Sequence, residues 1–111
     1  MNKTVLIIDD EQDFCLIMKN YFIRKGYHVH LAYSLLDGLR LLSDHRPQII
    51  FLDNNLPDGN GWDHIHHIVE EIPQIDAYLV SAHRNNSPAS VRSNVTIWEK
   101  PISMEMLNRI F

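Results

Sequence analysis

The sequence predicts an α/β fold built on a parallel sheet, and three observations carry the prediction. Two four-residue runs, Val5-Leu6-Ile7-Ile8 and Ile49-Ile50-Phe51-Leu52, are apolar at every position, as strands covered on both faces must be. Other segments carry apolar residues at helical spacings of three and four. Strand-like and helical stretches alternate along the chain, the pattern of repeated βα units. A chain of 111 residues sets a limit of one domain, expected to span 1–111. A chain of that size buries roughly 65% of its unfolded surface, enough for a single core.

Taken in order, Val5 to Ile8 forms the first strand and stops at Asp9-Asp10. Phe14, Ile17, Met18, Tyr21 and Phe22 define the first helix, closed by Gly26 as a C′ glycine. Tyr27 to Tyr33 alternates, with Tyr27, Val29, Leu31 and Tyr33 on one face and His28 and His30 on the other, so this strand is expected at a sheet edge with both histidines toward solvent. Ser34 caps a second helix carrying Leu35, Leu36, Leu39 and Leu42, in which Gly38 costs about 1 kcal/mol relative to Ala. The third strand, Ile49 to Leu52, runs into Asp53. Pro57-Asp58-Gly59-Asn60-Gly61 is dense turn chemistry, and a helix from Trp62 through Val69 ends before Pro73. Ala77 to Val80 forms a fourth strand ending at Ser81, and Val95 to Trp98 a fifth ending near Lys100. Between them only Ala89 to Ser93 could be helical, so the fourth helix is expected to be short or absent. The last helix, capped by Ser103, has room for about two turns before Phe111.

Composition removes several function classes. Ten basic residues against 14 acidic give a net charge of −4, and the cations are scattered singly, so direct nucleic-acid binding is not expected. No apolar run reaches the ~20 residues of a membrane span or the length of a signal-peptide core. The single cysteine, Cys15, lies in the apolar stripe of the first helix and reads as a buried, inert thiol in a reducing compartment. His64, His66 and His67 sit beside Asp63, and His64 and His67 share a helical face; a transition-metal site there is an alternative to the preferred reading of a polar outer surface.

In an open parallel sheet, ligands bind at the carboxyl ends of the strands, so Asp9, Asp10 and Asp53 should converge in one crevice. By itself Asp9-Asp10 reads as a helix cap with acidic first-turn residues. Asp53 and Lys100 favour a shared site instead. At about 4 Å and an effective dielectric near 20, each carboxylate pair repels by roughly 4 kcal/mol, so the crevice needs compensating charge. A hard divalent cation such as Mg²⁺ suits such an all-oxygen site, and Lys100 adds a further positive charge. A carboxylate beside Mg²⁺ can act as a nucleophile toward phosphorus, with a lysine and a hydroxyl holding phosphoryl oxygens.

The ordered set Val5-Leu6-Ile7-Ile8-Asp9-Asp10-Glu11, Pro47 to Asp53, Leu56 to Gly61, Val80-Ser81-Ala82 and Lys100-Pro101 resembles the receiver domains of bacterial two-component response regulators over nearly the whole chain. The resemblance implies a flavodoxin-like, doubly wound five-stranded parallel sheet in order 2-1-3-4-5. It also implies a cytoplasmic signalling switch, not an enzyme acting on other substrates. Asp53 would be the phosphoacceptor; Asp9 and Asp10 would hold Mg²⁺ with Asp53 and the backbone carbonyl of Asn55, Asp10 being the direct ligand of the acidic pair. Ser81, Lys100 and the backbone N–H groups of Asn54 and Ala82 would contact the phosphoryl group. The implied partners are a sensor histidine kinase or phosphotransfer protein and a downstream output domain or protein, any attached output domain lying beyond Phe111. A cis Lys100-Pro101 bond is implied as well.

The chain departs from the family pattern where a Tyr or Phe is usual three residues before the lysine, since Ile97 stands there. Trp98 should point to the opposite face of the strand. Two other functions stay open at the level of sequence: a pseudo-receiver acting as a phosphorylation-independent interaction module, and an aspartate-nucleophile phosphohydrolase. The intact acidic set argues against the first. Asp9-Asp10-Glu11 in place of a D-x-D motif, with no cap domain, argues against the second.

Overall fold

The computed structural model describes residues 3–82 and 94–111. Its main sheet is five-stranded, with β1 at Thr4–Ile8, β2 at His28–Ala32, β3 at Ile49–Asp53, β6 at Asp76–Ser81 and β7 at Val95–Glu99. A small hairpin, β4 at Asn55–Leu56 and β5 at Gly59–Asn60, intervenes in the chain. The spatial order is β2-β1-β3-β6-β7, all neighbours parallel. Numbered among the five alone, that is the expected 2-1-3-4-5. The expected helix within 89–93 lies outside the described residues.

The two apolar runs become the central strands because their side chains supply both cores. Leu6, Ile8, Ile50 and Leu52 face one side with Ala77 and Leu79. There they meet Leu35 and Leu42 of helix α2 (Leu35–His45) and Ile65, Ile68 and Val69 of helix α3 (Ile65–Glu71). Val5, Ile7, Ile49 and Phe51 face the other, against Cys15, Met18 and Phe22 of α1 (Gln12–Arg24) and Leu107 of α4 (Met104–Ile110). Ile97 packs with the first core and Trp98 with the second, the alternation expected of a strand. Trp98 and Phe111 join Phe22, Phe51 and Tyr78 in a set of stacked and edge-on rings, so the last residue of the chain is part of this core.

Local signals act as the sequence suggests at most element ends. Gly26 takes φ +87° after α1, and the Ser34 hydroxyl accepts the Asp37 N–H at 3.2 Å. Gly38 is more than a tolerated defect. A Cβ there would collide with the Ile8 side chain, so the missing methyl lets α2 lie directly on β1, one residue before Asp9. His30 departs from expectation: it is half-buried, its ring stacked at 3.8 Å on His45 of α2, while His28 is exposed as expected. The turn residues close a two-stranded hairpin where the sequence predicts only a turn, and residues 61–64 form a 3-10 turn before α3 instead of α-helix. There the Trp62 N–H is held by the Asn54 side chain at 3.2 Å and the Gly61 N–H by the Asn54 carbonyl at 2.9 Å. Both bonds go to a residue beside β3 and compete with a regular first helical turn.

Candidate functional site

The carboxyl ends of β1 and β3 lie side by side, Ile8 pairing with Leu52, so the residues that follow them share one crevice. Asp9, Asp10 and Asp53 each bring a carboxylate oxygen there, all within 4.8 Å of one another. Among the described residues this is the one group of three or more potential ligands. His64 and His67 are not part of such a group; His67 lies instead 3.6 Å from Glu71.

The three aspartates are not equivalent. Asp9 is 1% exposed, and its Oδ1 accepts the Glu11 N–H at 2.9 Å, tying the turn from β1 into α1. Its Oδ2 lies 2.8 Å from the Lys100 ammonium but receives no aligned hydrogen bond, leaving a buried lone pair open to a cation. Asp10 is exposed at the mouth. Asp53 is 4% exposed, the last residue of β3.

Lys100 enters from the opposite side. The Lys100 N–H donates to the Ser81 carbonyl at 2.9 Å, which holds the ends of β6 and β7 together and sets Ser81 and Lys100 at one edge of the crevice. Its ammonium lies 2.6 Å from Glu11 Oε1 and 4.0 Å from Asp53 Oδ1, over the Phe14 ring at 4.6 Å. Glu11 was not singled out as a site residue by the sequence. It shares the lysine with Asp9, which only the packing of α1 against the β7 end reveals.

Burial dominates the electrostatics. It pushes the Asp53 carboxyl up to about 7, with the Asp9 charge adding to the rise and Lys100 opposing it. Asp9 is also raised by burial, although Lys100 and the Glu11 N–H pull the other way. Burial draws Lys100 down, but the carboxylates of Asp9 and Glu11 beside it outweigh this and leave it above its ordinary value. Cys15, expected to be inert, donates from Sγ to the Asp9 carbonyl at 3.3 Å, and burial pushes its thiol up to about 12. Without a cation the crevice thus resists full ionisation. An all-oxygen donor set with surplus negative charge fits a hard divalent cation such as Mg²⁺.

The other expected contacts surround this centre. Asn54 is buried beside Asp53, and its backbone N–H bonds the Asp53 carboxylate. Asn55 opens the hairpin on the exposed side, Ser81 is buried at the end of β6, and Ala82 follows it, exposed. The Lys100-Pro101 bond is cis. Gly61 allows the closest approach in the site: a Cβ there would strike the Asp53 backbone carbonyl and the Leu52 side chain. Its turn chemistry was legible in sequence, but not this contact.

A family model described as a response regulator receiver domain matches residues 5–109. Among curated proteins, the sporulation initiation phosphotransferase F of Bacillus subtilis is 30% identical over 61 residues, 55% of this chain and 49% of that protein. The regulator of RpoS of Escherichia coli K12 is 31% identical over 85 residues, 77% of this chain and 25% of that protein. The chain therefore spans about half the length of the first and a quarter of the second. Among solved structures, a response regulator protein from Burkholderia pseudomallei, with a phosphorylated aspartic acid, calcium ion and citrate, superposes with a TM-score of 0.78 at 19% identity, covering 96% of this chain and 65% of that one. No helix among the described residues is long and apolar enough to cross a membrane.

Proposed function

The chain belongs to the response regulator receiver domain family, and from that premise we propose that it is a cytoplasmic phosphorylation switch that accepts a phosphoryl group on Asp53 with Mg²⁺ in the acidic crevice. The donor is a histidine kinase or phosphotransfer protein, and the phosphorylated form is read by a downstream domain or protein. The observation that carries this reading is the convergence of Asp9, Asp10 and Asp53 within 4.8 Å beside the Lys100 ammonium. The phosphorylated aspartic acid and calcium ion in the Burkholderia structure support it by analogy.

In this mechanism an Asp53 carboxylate oxygen attacks the donor phosphorus, a P–O bond to Asp53 forms, and the bond from phosphorus to the donor breaks. Asp10, Asp9, Asp53 and the Asn55 carbonyl would hold Mg²⁺, which would supply compensation for charge on the phosphoryl oxygens. Lys100 turns from its carboxylate partners toward a phosphoryl oxygen, while the Ser81 hydroxyl and the N–H groups of Asn54 and Ala82 hold the others. Asp53, whose protonated form burial promotes, would be held in its ionised, attacking form by a cation bound beside it.

Acetyl phosphate with Mg²⁺ is expected to add one phosphoryl group, read by intact-protein mass spectrometry, and Asp53→Asn to abolish the addition. A wild type that is never labelled and forms no beryllofluoride complex would establish the phosphorylation-independent interaction module instead. The metal and the lysine separate in a second experiment. Asp10→Asn should weaken Mg²⁺ binding and phosphorylation together, because one carboxylate ligand is lost. Lys100→Ala should leave Mg²⁺ binding no weaker, since a competing cation is removed, while impairing the response to phosphorylation. Equal losses of Mg²⁺ affinity in the two variants contradict these separate roles.

A further inference from the structure

Asp58 sits at the turn of the β4–β5 hairpin, and both its carboxylate oxygens leave that hairpin to meet α2. Oδ1 accepts the Leu35 N–H at 2.7 Å and Oδ2 the Leu36 N–H at 2.9 Å. These are first-turn amides with no partner inside the helix, and the Ser34 hydroxyl serves a different one, Asp37 N–H. The next residue, Gly59, takes φ +153°, where a side chain would be strained and a Cβ would press on Leu35 at 3.2 Å. The hairpin base is fixed separately, by the Gly61 N–H on the Asn54 carbonyl. The strands between these two anchors begin at Asn55, two residues after Asp53.

We infer that Asp58 is a positioning residue for the acidic crevice: its bonds to α2 hold the hairpin, and with it the Asn55 carbonyl, in register with Asp53. The inference rests on the phosphorylation reading above. Helix α2 is the fixed point because Gly38 lets it rest on Ile8, the residue before Asp9. One helix therefore ties together the two loops that supply the acidic ligands, and Asp58 is the side chain that joins the second loop to it. Ligand loops held by outer hydrogen bonds bind metal more tightly because less order has to be gained on binding. Besides Asp58, buried Leu56 also anchors the hairpin to the core.

The test compares Asp58→Ala, Asp58→Asn and Ser34→Ala in the full chain. Asp58→Ala removes both acceptors; it should speed amide exchange at Leu35, Leu36 and the hairpin and weaken Mg²⁺ binding by about tenfold. The rate of labelling by acetyl phosphate at subsaturating Mg²⁺ should fall in parallel. Asp58→Asn keeps one acceptor and should fall between the two. Ser34→Ala weakens the same helix end without touching the hairpin, so it should lower stability and leave Mg²⁺ affinity alone. A merely structural role for Asp58 predicts instead that Ser34→Ala and Asp58→Ala behave alike, and that result overturns the inference. So does an Asp58→Ala variant with fast exchange at Leu35 and Leu36 but wild-type Mg²⁺ affinity. A wild type that takes up neither Mg²⁺ nor a phosphoryl group overturns the functional reading and this inference with it.

Discussion

Asp53→Asn is expected to raise the stability of the metal-free protein at pH 8 and to raise it by much less at pH 5. The Asp53 carboxyl is pushed up to about 7 by burial, from an unfolded-state value near 4. Folded chain therefore binds the proton more tightly than unfolded chain. Between about pH 4 and 7 the folded state carries more protons, so stability falls as pH rises through that window. The full displacement corresponds to ~4 kcal/mol, which water at the crevice mouth and relaxation reduce to roughly 1–2 kcal/mol. Burial of Asp9 acts in the same direction. Asp58 opposes it weakly: the Leu35 and Leu36 N–H groups hold its carboxyl below the usual range, so its contribution is present above about pH 4 and lost below. Removing the Asp53 charge should thus raise Tm by about 5–10 °C at pH 8. Mg²⁺ should stabilise the wild type more than the variant, since a ligand that binds only the folded state shifts the equilibrium by mass action. Thermal melts at the two pH values, with and without Mg²⁺, check this. A variant less stable than wild type at pH 8 would mean that Lys100 already neutralises the crevice.

The second large effect is expected at Gly61. Its backbone is not in the left-handed region, so any L residue could adopt the conformation; the constraint is space alone. Because the obstructing atom is the Asp53 backbone carbonyl, Gly61→Ala cannot be relieved by rotating a side chain. Either β3 shifts at its end or the Gly61 N–H leaves the Asn54 carbonyl. Overpacking of this kind costs about 1–3 kcal/mol. A displaced Asp53 should also slow phosphorylation by roughly 10- to 100-fold, the penalty typical of misplacing a reacting atom by about 1 Å. Urea unfolding measures the first effect and the rate of labelling by acetyl phosphate the second. An Ala variant with unchanged urea midpoint and labelling rate would show that the β3 end yields at no cost.

The sheet and the convergence of the three aspartates were legible in the order of residues. Val5 to Ile8 and Ile49 to Leu52 are apolar at every position, which only a strand covered on both faces tolerates, and the aspartates following each had to emerge at the same end of parallel neighbours. The opposite facing of Ile97 and Trp98 followed from the strand period alone. These properties are local or periodic, and a single chain carries them openly. The remaining contacts join residues far apart in the chain. Glu11 shares Lys100 across 89 positions and Asp58 reaches Leu35 across 23, distances over which no spacing rule operates. Gly38 and Gly61 read as an irregular helix residue and a turn former, but their roles depend on what faces them, Ile8 in one case and the Asp53 carbonyl in the other. His30 was placed toward solvent by alternation, yet His45 of α2 stacks on it and covers its face. Periodicity tells which way a side chain points, and packing decides what it meets there.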